Sequence, residues 1–212
     1  MGDINFYYLF CIFFVALFSM ILHEMGHALV ALWQGDQTAK LAGRISLNPL
    51  KHIDPMMTII VPLLLAFWGM PVFGGAKPVP INTRNLKHAE YSFALVAIAG
   101  PLVNFILAFI FYGIFILAHN DWLQVLASAG VTVNLGFMLF NIIPIPPLDG
   151  SRVLYALAPD FVREIMKKME RYGFVIIYIL LIFCGTLLSK YIYGGEDLVL
   201  GWFSKFYSLF GL

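Results

Sequence analysis

Long apolar stretches separated by short polar connections make up most of this chain. Four of them, approximately residues 4–33, 91–118, 122–143 and 172–193, are long enough to cross a hydrocarbon layer of about 30 Å, which takes about 20 helical residues. Each stretch predicts a membrane-spanning helix. The pattern therefore predicts an all-α polytopic membrane protein with about four full transmembrane helices.

A fifth apolar run, from Met56 to Met70, is shorter and contains Pro62. It predicts either a further span or a re-entrant segment, and the basic residues help to decide between the two. They flank this run and recur after the third long stretch: Lys40, Arg44, Lys51, Lys77, Arg84, Lys87, Arg152, Arg163, Lys167, Lys168 and Arg171. If the run does not cross, these eleven of the thirteen basic residues lie on one side, as the positive-inside rule prefers. We therefore predict a re-entrant segment, an N-terminus outside and a cytoplasmic location for the basic loops.

The polar connections predict smaller elements within a single domain covering residues 1–212. Gly43 lies between two short runs that favour a small membrane-associated β-hairpin. Residues 160–171 have the pattern of a short amphipathic surface helix, and the stretch after Glu196 is predicted to lie along the outer interface. The core of the domain is expected over residues 4–158. An additional span and the interfacial segment are expected within residues 160–212.

Composition excludes several classes of protein. The chain is 61% hydrophobic and only 12% charged, which leaves too little polar surface for a soluble domain. A net charge of +1 gives no reason to expect nucleic-acid binding. Cys11 and Cys184 lie in apolar runs without metal or redox spacing, so they predict packing residues.

The run HEMGH carries the clearest chemistry. His23 and His27 are four residues apart, so both imidazoles project from one face of a helix and can bind one Zn²⁺. Glu24 lies beside that metal and is positioned to take a proton from bound water. A polar patch between helices is the alternative, but three ionisable groups within a spanning helix are costly and favour function.

A catalytic zinc site normally has three protein ligands and an open water position. Asp149 is the best candidate for the third ligand, since three prolines before it favour an extended chain and Gly150 permits close backbone approach. If residues 56–70 do not cross, Asp149 lies at the same membrane depth as the inner end of the first span. A helix-capping role for Asp149 stays open, and His52, His88 and His119 are weaker candidates.

Three asparagines occur within the second and third apolar stretches. Asn141 is eight residues before Asp149 and is predicted either to stabilise the oxyanion or to form an interhelical hydrogen bond. Asn104 follows the Ala99-Gly100-Pro101 kink, where a packing role is favoured, and Asn134 is interpreted as structural.

The motifs HEMGH, AGPLVN and FNIIPIPPLDG, in this order, resemble the site-2 protease family of intramembrane metallopeptidases. The resemblance implies one Zn²⁺ per chain, held by His23, His27 and Asp149, with Glu24 and Asn141 as catalytic residues. It also implies cleavage within or beside transmembrane segments of membrane protein substrates, in the plasma membrane of a prokaryote. Relatives pair such substrates with a β-hairpin, and residues 36–48 are similar in position. The connection at residues 119–121 has no room for the PDZ domain found in many relatives.

Two other functions are weighed against this one. A non-proteolytic metal transporter or degenerate scaffold with a structural zinc should have more polar residues along a path across the bilayer. Another HExxH membrane protease would need a glutamate ligand, and Glu164 and Glu170 lie in a predicted surface loop. The lipid bilayer and a substrate helix are the expected partners, no nucleic acid is expected, and oligomer formation stays open.

Overall fold

Helices make up nearly all of the structure, a computed structural model that describes residues 6–67 and 75–211. Within those residues there are nine α-helices: α1 (Phe6–Trp33), α2 (Thr38–Leu41), α3 (Val61–Phe67), α4 (Ala89–Leu117), α5 (Asp121–Asn141), α6 (Asp149–Leu157), α7 (Asp160–Glu170), α8 (Gly173–Phe183) and α9 (Gly185–Ser208). Two 3₁₀ turns, Pro49–Lys51 and Thr83–Asn85, and one π-helical turn, Pro55–Ile60, lie between them.

The three long helices α1, α4 and α5 form the centre of the molecule and are long and apolar enough to cross a membrane. Large apolar side chains cover their outer faces; Phe13, for example, is 72% exposed. Such faces are stable against lipid and not against water. The prediction of an all-α membrane protein is confirmed, with three candidate spans, or four if the bent pair α8–α9 is a broken span.

A close crossing between α1 and α4 depends on Gly26. A Cβ at this position would lie 2.8 Å from Cγ2 of Val103 and 3.1 Å from the carbonyl oxygen of Ala99. Any larger residue would separate the helices, since small residues allow the closest approach of helix backbones in membranes. Gly26 lies between His23 and His27 in sequence, so the crossing brings α4 directly against the HEMGH turn.

The ends of the long helices define two ends of the bundle. The ring of Tyr7 packs against Trp122 at a centroid distance of 4.4 Å, which places the start of α1 beside the start of α5. At the other end, the amide of Lys87 donates to the carbonyl of Gln34 at 3.0 Å. The chain therefore leaves α1 and enters α4 at one end of the bundle.

The ambiguous apolar run returns to the end from which it starts. The amide of Gly75 donates to the carbonyl of Met57 at 3.1 Å, and the amide of Lys77 donates to the carbonyl of His52 at 2.8 Å. The two flanks of the run are therefore neighbours, as a re-entrant segment requires. Residues 68–70 of the predicted run lie outside the described residues.

The predicted β-hairpin is wrong. The region holds the short helix α2, and no strand occurs among the described residues of the chain. Gly43 has φ 67° and follows α2, where its amide donates to Lys40 and the amide of Arg44 donates to Ala39. This is the hydrogen-bond pattern of a glycine that ends a helix. A left-handed glycine suits a hairpin turn equally well, which is why the local pattern was misleading.

The last predicted span is also divided differently. α8 and α9 are bent by 87° relative to each other at Cys184. α9 then runs beside α5 and α4, with Tyr191 donating to the carbonyl of Leu139 at 3.2 Å and Tyr207 to that of Phe109 at 3.1 Å. The residues after Glu196, predicted to lie along the outer interface, are the second half of this packed helix. The predicted amphipathic helix of residues 160–171 is present as α7.

Candidate metal centre

The two histidines of HEMGH lie one helical turn apart on α1, and their rings converge. Both residues are only 7% exposed, and their Nε2 atoms are 3.0 Å apart. Spacing of four residues places both side chains on one helix face. The predicted pairing of His23 and His27 is therefore present.

Asp149 completes the cluster from the first turn of α6. Its Oδ2 atom lies 3.2 Å from Nε2 of His23 and 3.3 Å from Nε2 of His27. A Cβ at Gly150 would overlap the carbonyl of Ile142, so this glycine allows α6 to start directly against the end of α5. Among the described residues, this trio is the one group of His, Cys, Asp or Glu whose ligand atoms lie close enough together to hold a metal ion.

Hydrogen bonds determine which nitrogen of each imidazole faces the cluster. Nδ1 of His27 lies 2.7 Å from the carbonyl of Val96, and a carbonyl can only accept, so this nitrogen carries the proton. In the neutral imidazole, Nε2 of the same ring is then the unprotonated nitrogen and can bind a metal. A partner on the second ring nitrogen is the usual way in which proteins orient a metal-binding histidine.

A buried chain of amides does the same for His23. The carbonyl of Gly130 accepts from Nδ2 of Asn134 at 2.8 Å, so Oδ1 of Asn134 faces Asn104 and accepts from its Nδ2 at 2.9 Å. Oδ1 of Asn104 then accepts from Nδ1 of His23 at 2.6 Å. The polarity of the chain is set by the carbonyl at its end, so in the neutral imidazole Nε2 of His23 is the unprotonated nitrogen.

The cluster fits a divalent metal. Two imidazole lone pairs and a carboxylate oxygen face one another, and Oδ2 of Asp149 is buried without a hydrogen-bond partner. Such an arrangement needs a proton or a metal cation between the three atoms, and two His with one Asp is a ligand set suited to catalytic zinc.

Gly100 of α4 is required by this cluster. A Cβ there would lie 2.5 Å from Cε1 of His23 and 2.5 Å from Nε2 of His27. Pro101 follows it and cannot donate the helical hydrogen bond to Ala97. α4 therefore passes the imidazoles at a point where no side chain lies between them and its backbone. Its helical hydrogen-bond pattern is interrupted at the same point.

Glu24 lies beside the trio and is held by a distant segment. Its Oε2 atom accepts the amide hydrogen of Val79 at 2.9 Å. Val79 belongs to residues 77–82, the KPVPIN segment, which has no helical structure and precedes the 3₁₀ turn that leads to α4. No sequence pattern had linked this segment to HEMGH.

The trio and Glu24 face a common cavity of about 730 Å³. Pro78, Val79 and Ile81 of the KPVPIN segment form part of its wall. Charged residues from α4, α6 and α7 also line it: Glu90, Arg152, Lys167 and Glu170. The cavity therefore offers both backbone and charged groups to a bound chain.

Asn141 lines the same cavity, near the end of α5. Its Nδ2 atom donates to the carbonyl of Phe137 on the same helix at 2.9 Å. The oxyanion role of Asn141 therefore stays a prediction. Asn104, interpreted from the sequence as a packing residue, is the asparagine that contacts a predicted ligand.

The weaker ligand candidates lie elsewhere. His52 is buried and bonded to the carbonyl of Ser46 at 2.7 Å, and neither His88 nor His119 belongs to the metal-binding group. Glu170 forms an ion pair with Arg152. Glu164 is exposed on α7.

Known proteins identify the family to which this site belongs. The model of Peptidase family M50 matches residues 116–184. YwhC of Bacillus subtilis, whose name gives it as a candidate zinc metalloprotease, is 39% identical over 204 residues, which are 89% of each chain. The chain belongs to peptidase family M50. This is the site-2 protease family that the three motifs resemble, so that prediction is confirmed.

Other relatives of this M50 peptidase carry the same description. Rip2 of Mycolicibacterium smegmatis is 33% identical over 78% of this chain and 64% of its own length. Rip2 of Mycobacterium tuberculosis H37Rv is 30% identical over 84% and 68%. No solved structure matches the chain. M50 peptidases are membrane proteins that use Zn²⁺, and His23, His27 and Asp149 are the residues that would hold it here.

Proposed function

We propose that this chain is an intramembrane zinc metalloprotease that hydrolyses peptide bonds in or beside the transmembrane segments of other membrane proteins. The observation that carries the proposal is the single cavity shared by Glu24 and the three ligand atoms of His23, His27 and Asp149. Metal-assisted hydrolysis needs a general base beside the metal ligands.

The chemistry divides between the metal and the side chains. Zinc, when bound, supplies a Lewis acid that polarises the scissile carbonyl and acidifies a water molecule. The amide of Val79 holds Oε2 of Glu24, which leaves Oε1 to take a proton from that water and later to return it to the leaving amine. Asn141, on the cavity wall, would turn its amide from Phe137 toward the developing oxyanion.

A helical substrate must unwind before its peptide bond can be attacked, because its carbonyl groups are engaged in the helix. The KPVPIN segment offers replacement partners for the freed backbone. The amide of Ile81 has no hydrogen-bond partner among the described residues, and Val79 and Ile81 both line the cavity. We therefore expect an unwound substrate segment to pair with this segment in strand-like fashion.

The orientation in the membrane follows from charge. The loops that carry most of the basic residues join the helices at the end of the bundle where α1 finishes and α4 starts, and the positive-inside rule places such loops in the cytoplasm. This puts the N-terminus outside and the cavity near the cytoplasmic face. A prokaryotic plasma membrane is the expected location.

A non-proteolytic transporter or scaffold is the second candidate, and the structure does not favour it. Asn104 and Asn134, in the middle of the described spans, form a closed chain that ends on His23 and a backbone carbonyl, and Asn141 bonds to its own helix. They therefore do not line a polar route across the bilayer, which a transporter would need.

The test compares membranes that contain the active protein, the Glu24→Gln variant or a matched Glu164→Gln control. Glu164 is an exposed carboxylate on α7 that does not line the cavity. We expect uncleaved membrane fragments to accumulate with Glu24→Gln only, because that change removes the base, while zinc content stays equal in all three. Identical fragment patterns in the active and Glu24→Gln membranes would contradict the proposed function.

A further inference from the structure

We infer that Asp36, which lies outside the metal cluster, is a positioning residue that holds the KPVPIN segment in register with Glu24. The inference rests on the proposed function only in its expected effect on substrate cleavage. Its structural part stands on two hydrogen bonds, from Asn82 to Asp36 and from Val79 to Glu24, which the chain between residues 79 and 82 connects.

Asp36 is fully buried just beyond the end of α1, and both of its carboxylate oxygens are engaged. Oδ2 accepts from the amide of Asn82 at 2.7 Å. Oδ1 accepts from Nδ2 of Asn85 and from the amide of Thr38, each at 3.0 Å. Burial acts to raise the pKa of Asp36, but the hydrogen bond from the Thr38 hydroxyl and those from Asn82, Asn85 and the Thr38 amide outweigh it and lower the pKa below its ordinary value. The acceptor is therefore charged at neutral pH, and hydrogen bonds to a charged group are about twice as strong as neutral ones.

The chain around Val79 is conformationally restricted, so the hydrogen bond between Asp36 and Asn82 also restrains the Val79 amide. Pro78 and Pro80 have fixed φ angles, and Lys77 and Val79 are restricted to extended conformations because each precedes a proline. Rotation is therefore hindered at every residue from 77 to 80. Ile81 is the one residue between this restricted stretch and Asn82, so we expect a displacement of Asn82 to move the amide of Val79 relative to Glu24.

The opposite end of the segment is attached independently. The amide of Lys77 donates to the carbonyl of His52 at 2.8 Å, and Arg44 donates to the carbonyl of Lys77. With both ends held, the Val79 amide meets Oε2 of Glu24 at 2.9 Å. Loss of the Asp36 attachment leaves the segment fixed at one end only.

The experiment measures amide hydrogen exchange at single residues in zinc-loaded protein in detergent. The amides of Val79 and Asn82 give separate signals after ¹⁵N labelling. Pro78 and Pro80 have no amide hydrogen and contribute no signal. The test variant is Asp36→Asn, which places an amide donor where Oδ2 accepts. The control is Thr38→Val, which removes one hydroxyl donor to Asp36 and leaves the Asn82 contact intact.

We expect exchange at both Asn82 and Val79 to accelerate by about tenfold or more in Asp36→Asn, since each amide loses a hydrogen bond to a charged group. In Thr38→Val both amides should keep their protection. A residue with a purely local role would expose Asn82 alone. Unchanged protection of Val79 in folded Asp36→Asn protein would therefore overturn the inference.

If Asp36→Asn gives no folded protein, Asp36→Glu provides the same test. It retains the charge and the acceptors but moves them by one methylene group, so the Val79 amide should again lose protection. Protection equal to that of the unmodified protein would count against the inference here as well.

Cleavage gives a second readout that separates this inference from the proposed function. Membranes with Asp36→Asn should accumulate the same uncleaved fragments as Glu24→Gln membranes while zinc content is unchanged, and Thr38→Val membranes should not. If Glu24→Gln itself causes no accumulation, the proposed function fails, but the exchange result still decides the role of Asp36. If Glu24→Gln causes accumulation and Asp36→Asn does not, the positioning role is wrong.

Discussion

Replacement of Asn104 by alanine should weaken zinc binding without removing any ligand. Asn104 is completely buried between α1 and α5, and its Oδ1 accepts the Nδ1 hydrogen of His23 at 2.6 Å. In Asn104→Ala this hydrogen loses its protein acceptor. The imidazole then either rotates away from the cluster or shifts its proton to Nε2, and both changes oppose metal binding.

The size of the effect follows from the number of bonds lost. One buried donor, on His23, loses its partner, which costs about 1–3 kcal/mol. Loss of an orienting partner of a metal ligand typically lowers affinity by about 10–100-fold, which is the same range. The second lost bond, from Asn104 to Asn134, destabilises the fold but does not bear on the imidazole.

The assay is a zinc titration against a competing chelator in detergent solution. Asn134→Ala is the matched control, because it removes the next amide in the chain and leaves the bond between Asn104 and His23 in place. Its zinc affinity should fall clearly less than that of Asn104→Ala. Asp149→Ala, which removes a ligand outright, sets the lower limit. A zinc affinity for Asn104→Ala within about twofold of the unmodified protein would refute the reasoning, since that is far below the expected loss.

Two further predictions concern the packing around the site and the attachment of α7. Gly100→Ala should abolish zinc binding, because the new Cβ would overlap both imidazoles. The control is Gly136→Ala, whose new Cβ meets no atom within 4 Å. Elemental analysis should find the zinc content of this control unchanged. The hydrogen bond from Arg152 lowers the pKa of Glu170 below its ordinary 4.5, so this attachment of α7 is fully present above pH 4.5 and is lost as the pH falls through the lowered value. Amide exchange in α7, corrected for the intrinsic effect of pH, should therefore rise on acidification; a rise of equal size in Arg152→Gln would show that the pair is not its cause.

Much of the metal centre could be predicted from sequence because its constraints are local or belong to the bilayer. The spacing of His23 and His27 fixes their common helix face. The third ligand of such a site must be an Asp, Glu, His or Cys at the same membrane depth, and on that argument Asp149 is the best candidate. The positive-inside rule predicted that residues 56–70 return to the side they leave, and the contacts between their flanks agree with that topology.

Other features could not be predicted from the sequence, because the same local pattern is compatible with two different structures. A glycine with positive φ ends a helix or turns a hairpin, and the choice at Gly43 depends on whether a partner strand exists elsewhere. An apolar run such as residues 172–193 satisfies the bilayer whether it is one straight helix or two helices at 87°. The local sequence does not specify the packing partners that decide between such structures.

The sequence by itself determined the class of protein, the two histidines, the glutamate beside them and the carboxylate that joins them. Only the tertiary structure decided what orients these groups: the amide chain from Gly130 to His23 and the KPVPIN segment that links Asp36 to Glu24. The physical reason is that these hydrogen bonds, apart from the one from Asn134 to Gly130 within α5, join residues that are far apart along the chain. A buried asparagine or aspartate must have a partner, but its own sequence neighbourhood does not say which one.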